Sequence, residues 1–285
     1  MTQGRHVSLT EAIIIVVSAM IGFGVFAAIV SRRSPEGSLA DKTPTSIYAV
    51  TSGAISLLIA FTFSMAFSQY TNAENATHAE GAAVLQMYRA TAFMGEPLAT
   101  DLRHHLLCYA QLVVDDEWPA LERGDAQVND RVQRTLAAMD DAISSSSGAT
   151  LAGNALSIWE TGNTNLVTAR QERFAVADWS VPPLVYLMII LGSLVTIGSL
   201  FVYADRTKPG WGHAVMIIGP AFVFVAGLVV IVFLDNPFTN TPGGVQPGAI
   251  RMSIQYIERD LGMPDRISHP SCPTDTDSSK VFPDA

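Results

Sequence analysis

Apolar residues collect into four blocks along the chain, at about 8–30, 46–67, 184–203 and 213–234. Each block is about 20 residues long, the length a helix needs to cross a bilayer core of ~30 Å. The first opens with a capping box, Ser8-Leu9-Thr10-Glu11, which suits a helix start at an interface. Its apolar run, Ala12 to Val30, exceeds the ~7–15 residues of a signal-peptide core and reads as a retained span. The second block continues beyond its apolar part. From Ser46 to Arg89 there is no proline, and the glycines are Gly53 and Gly81. That pattern predicts one long helix that leaves the membrane and runs on into water. Pro182-Pro183 opens the third block, because proline is tolerated in the first turn of a helix.

The stretch between the second and third blocks is too polar to span. Leu102, Leu106, Tyr109, Leu112 and Val113, then Val128, Val132, Leu136 and Met139, fall at helical spacing. Breaks come at Glu96-Pro97, Trp118-Pro119 and the serine run ending at Gly148. No segment alternates in the β manner, so a small helical domain is expected. The predicted fold is all-α: an integral membrane protein with four transmembrane helices and a helical extramembrane domain between spans two and three. Its parts are a transmembrane hairpin at 1–69, the helical domain at 70–181, a second hairpin at 182–235 and a polar, largely disordered tail at 236–285. Within the tail, Ile250 to Leu261 has the pattern of an amphipathic helix.

Composition agrees with a membrane protein. The chain is 49% hydrophobic and 15% charged, with mean hydropathy +0.29, against about 25% charged residues in soluble domains. A net charge of −9 argues against a nucleic-acid surface. Cys108 and Cys272 form no CxxC pair, which excludes a disulfide scaffold and a thiolate zinc site and leaves the redox compartment open. The short loops carry Arg32, Arg33, Lys42, Arg206 and Lys208, and the other side carries Arg5, Arg89, Arg170, Arg173 and Arg251 near the membrane. By count this is a tie; by density the short loops read as cytoplasmic.

No charged residue sits at mid-membrane, which weighs against proton coupling and voltage sensing. Small and hydroxyl residues in span two, Ser52 and Ser56 among them, suit helix packing or the wall of an aqueous pore. Ile59, Phe63 and Phe67 recur every four residues, as a ring that gates by dewetting would. Glu74 and His78 lie one turn apart with Glu80 close by, an arrangement more in keeping with a water-facing helix than with a metal site. Asp115-Asp116-Glu117 reads as the solvated end of a helix. His104-His105 would titrate near neutrality beside those acids. Trp118 is expected to anchor the domain core or an interface, and Pro119 to end the preceding helix. There is no GxSxG, P-loop, HExxH or GxGxxG, so neither an enzyme nor a cofactor is expected.

Three local features resemble the bacterial bestrophin-like family of unknown function, DUF4239. They are Gln69-Tyr70 with Glu74 and His78-Ala79-Glu80 after span two, Glu117-Trp118-Pro119 in the helical domain, and Asp235-Asn236-Pro237-Phe238 after span four. That family is similar to the bestrophins, pentameric anion channels whose second helix lines the pore. The resemblance implies a homo-oligomer in the bacterial plasma membrane, a small anion as permeant, and a cytoplasmic helical domain and tail. The chain departs from bestrophins in two places. Thr239-Asn240-Thr241-Pro242-Gly243 replaces the acidic run that clasps calcium, so no such clasp is implied. Aligning on Gln69-Tyr70 puts the bestrophin neck at Ala49, Gly53 and Leu57 rather than at Ile59, Phe63 and Phe67. The alternative is a non-conducting scaffold or sensor whose helical domain binds a protein partner.

Overall fold

The computed structural model describes residues 45–127, 129–146, 154–203 and 211–262, with positions 18 and 272. The span expected at 8–30, its capping box, Val128, Arg32, Arg33, Lys42, Arg206 and Lys208 lie outside the described residues. The described chain is helical, with no strand. Its longest element, α1, runs Thr45–Ala90 as one uninterrupted helix, as the absence of proline from this stretch dictates. It is followed by α2, Leu98–Leu112; α3, Trp118–Glu122; α4, Asp130–Ser145; and α5, Ala155–Asp178. The C-terminal part holds α6, Pro183–Tyr203; α7, Trp211–Leu234; and α8, Gly248–Asp260. Among the described residues, the helix over Ala49–Phe93 is long and apolar enough to cross a membrane. A second candidate arises only when Ala155–Asp178 and Pro183–Ser199 are joined, and Phe222–Leu234 is a shorter apolar helix.

The chain folds into two compact units, 1–70 with 179–237 and 71–178 with 238–285. Among the described residues of the first, a small apolar cluster is buried. Ala66, Ile231 and Leu234 are buried, with Ile59, Tyr70, Tyr186 and Phe233 packed around them. Gly227 allows close approach, since a Cβ there would meet Ile59 Cγ2 at 3.3 Å. The Asp235 carboxylate accepts from the Val181 amide at 2.8 Å and the Tyr186 hydroxyl at 3.0 Å. Large apolar side chains nevertheless face outward: Leu57 is 72% and Phe222 70% exposed. Water would not tolerate such an apolar exterior; lipid or neighbouring copies would.

The second unit has a sealed core of Leu102, Leu106, Tyr109, Trp118, Met139 and Leu166. Between α2 and α3 the chain forms a π-turn, Val113–Glu117, in which the Trp118 amide donates to the Val113 carbonyl. The widened turn accommodates Pro119, which has no N–H to give and whose ring would strike the carbonyl four residues back in a regular helix. Pro119 therefore does not end the preceding helix, contrary to the expectation from sequence. Helical backbone continues through it to Glu122.

In the tail, the amphipathic helix expected at Ile250 to Leu261 is present as α8, Gly248–Asp260. It lies against α1, where a Cβ on Gly81 would come within 2.8 Å of the Ala249 carbonyl carbon. At this close approach the Ser253 hydroxyl donates to the Gly81 carbonyl at 2.8 Å. Tyr88 donates to Asp260 at 2.6 Å. Beyond the helix, Cys272 is joined to Cys108 in a disulfide across a separation of 164 residues. Nothing in the spacing of the two cysteines signals this pairing.

A buried charge cluster in the helical unit

Two of the sequence features that carry the family resemblance meet in space. Glu80 comes from α1 and Glu117 from the end of the π-turn, and both are buried. Between them lies Arg173 of α5, whose guanidinium is wholly inaccessible. Its Nε donates to Glu80 Oε2 at 2.7 Å. Its Nη2 donates to Glu80 Oε1 at 3.2 Å and to Glu117 Oε2 at 2.9 Å. One turn earlier on the same helix, Arg170 Nη2 donates to Glu117 Oε1. Tyr109 completes the set by donating its hydroxyl to Glu80 Oε1 at 2.7 Å. Two carboxylates and two guanidiniums thus balance in charge, the condition under which buried ions persist.

Aromatic rings enclose the cluster. The Arg170 and Arg173 guanidiniums lie 5.1 and 5.0 Å from the Phe174 ring centroid, and Arg173 lies 5.7 Å from that of Trp118. Trp118 meets Phe238 edge-on, with centroids 5.5 Å apart. Burial alone would lower the Arg173 pKa, but the adjacent Glu80 and Glu117 outweigh it and hold the group above its ordinary value. Tyr109 is pushed well above the usual phenol range, first by burial and then by the Glu80 charge. Neither group changes charge near neutral pH.

These placements correct two expectations. Glu80 does not share a water-facing surface with Glu74 and His78, which are exposed while Glu80 is buried. The acidic run 115–117 is not uniformly solvated: Glu117 is inside, while Asp116 pairs with Arg131 at 2.7 Å. His105 lies 3.8 Å from Asp101, and burial, only partly offset by that carboxylate, lowers its pKa. In the sequence, Arg170 and Arg173 read as charges flanking the membrane. Their three-residue spacing on one helix face is the available signal, but their partners lie 53 to 93 residues away.

The remaining positions fall in the first unit, Phe238 excepted. Tyr70 packs on Phe233 with ring centroids 6.5 Å apart, and Gln69 beside it is half-buried. Asp235 caps the start of α6 as described, Asn236 donates to the Val232 carbonyl at 3.0 Å, and Pro237 is buried. On α1, Phe63 and Phe67 stack at 6.2 Å and remain exposed, as does Ser56. Ser52 is half-buried, its hydroxyl turned back to the Ala49 carbonyl at 3.2 Å. Ile59 faces the buried cluster around Ile231. Ala49, Gly53 and Leu57 are all exposed.

The family model described as Bestrophin-like domain matches residues 16–242. Several solved structures share the fold. A single-substitution variant of a bacterial Bestrophin homologue from Klebsiella pneumoniae superposes with TM-score 0.67 at 13% identity, covering 90% of this chain and 99% of that one. A second variant of that homologue gives 0.64 at 12% identity, with 90% and 98% covered. A crystal structure described as a membrane protein gives 0.64 at 13% identity, with 90% and 97% covered. No curated protein matches the chain.

Removing one partner from a buried ion cluster strands the others. Glu117→Gln should therefore destabilise the protein by about 3–5 kcal/mol, and Trp118→Ala by a similar amount through the cavity it leaves. Thermal melting of the purified variants checks both, and an unchanged Tm would contradict the assignment.

Proposed function

The chain belongs to the bestrophin-like family, and from that membership we propose that it is an oligomeric, anion-permeable membrane channel. The family match over residues 16–242 carries this reading. In it the first half of α1 is the pore-lining span, with one exposed face toward the axis and the others toward neighbours or lipid. Ser52, Ser56, Ile59, Phe63 and Phe67 are the pore candidates on one face of that helix, and Ile59 among them packs against the buried cluster around Ile231. Ala49, Gly53 and Leu57 form the register that aligns with bestrophins. The chain crosses the membrane four times. Helices α6 and α7, of 21 and 24 residues, measure ~30 Å or more at ~1.5 Å per residue and match the bilayer core.

Purified protein in liposomes should pass chloride well above empty liposomes, and in mild detergent it should run as a closed ring of copies, five if bestrophin-like. A monomer with no flux at any pH or calcium concentration would sink the channel and leave the non-conducting scaffold or sensor.

In this reading the helical unit and tail face the cytoplasm, as the resemblance to bestrophins implies. Two features pull the other way: the Arg and Lys density of the short loops, and a disulfide, which persists best in an oxidising compartment. Asp125 is exposed in the connection after α3. Asp125→Cys should resist a membrane-impermeant maleimide in intact cells and react once they are permeabilised. Reaction in intact cells would reverse the orientation.

A further inference from the structure

The charge cluster is balanced in charge but not in hydrogen bonds. Among the described residues, Arg170 Nε, Arg173 Nη1 and Trp118 Nε1 are buried without an acceptor, and all three are donors. Side chains that share Glu117 or touch through the Arg173–Trp118 contact therefore hold a local surplus of donors, which is what recruits an acceptor from outside. Arg170, more than nine-tenths buried, also lines a cavity of about 510 Å³ bounded by residues of α2, α4 and α5. That volume lies within the ~300–1,000 Å³ typical of small-molecule sites and is far larger than a halide needs. Leu136, Leu166 and Phe174 supply an apolar wall, and Gln133, Gln171 and Asp140 supply polar groups.

We propose that this cavity binds a small organic monocarboxylate, its carboxylate directed to Arg170 and its apolar body against Leu136, Leu166 and Phe174. Asp140 is exposed and engaged by Asn163 at 3.2 Å. Its charge repels an anion from that end of the cavity and so sets the carboxylate toward the arginine. The site does not depend on ion conduction, so it stands or falls separately from the channel.

The test uses the full chain in detergent, with melting followed against benzoate, the neutral isostere benzamide, and sodium chloride at matched ionic strength. Benzoate should raise Tm saturably, as binding to the native state requires, and benzamide and chloride should not. Ala137 is an exposed residue of the cavity lining. Measured against its own Tm without ligand, Ala137→Trp should weaken the benzoate response by about tenfold or more. Four results would overturn the proposal: no saturable shift, an equal shift with benzamide, an equal shift with chloride, or a shift that survives Ala137→Trp. The first is also the outcome if a neighbouring copy fills the cavity in the oligomer.

Discussion

Four buried charges hold the helical unit in its arrangement. A carboxylate or guanidinium taken out of water is expensive, and only a partner with good geometry recovers the cost. Glu80, Glu117, Arg170 and Arg173 are each inaccessible or nearly so, so each requires the others. That requirement fixes three elements together: the polar half of α1, the π-turn after α2, and one face of α5. The π-turn carries Glu117 into the core while the adjoining Asp116 faces Arg131 near the surface. A regular helix with Pro119 in its interior would have been broken.

The tail adds a second layer of constraint on the same unit. Helix α8 approaches α1 so closely that only glycine fits at position 81 without a shift, and the Ser253 hydroxyl donates to the Gly81 carbonyl at that contact. The motif before it divides its work. Asp235 holds the first turn of α6, whereas Phe238 closes over Trp118. A short string such as Asp-Asn-Pro-Phe need not form one site; here it supplies structural contacts in each of two units.

What the sequence made legible was whatever depends on neighbours along the chain. Hydropathy and the absence of proline predict a helix from Ser46 to Arg89, and α1 runs Thr45–Ala90. Helical spacing marks Leu102, Leu106 and Tyr109, which are buried. The cluster is illegible because its charges are scattered through polar stretches in which each looks solvated. Glu80 sits two residues from exposed His78, and Glu117 ends an acidic run. Arg170 and Arg173 resemble the cations that flank any membrane span. Only the pairing across 53 to 93 residues distinguishes them, as only the fold brings Cys108 to Cys272. The bestrophin-like resemblance does point to Glu80 and Glu117-Trp118-Pro119, without saying that they meet.

The most direct test of the cluster as one unit is a double-mutant cycle on Glu80 and Arg173. Stability would be measured for Glu80→Gln, Arg173→Met and the pair together. A shared buried ion pair predicts that the double variant loses much less than the two single losses added, with a coupling of ~1–3 kcal/mol. Simple additivity would contradict the account, since it would mean that the two side chains stabilise the protein independently.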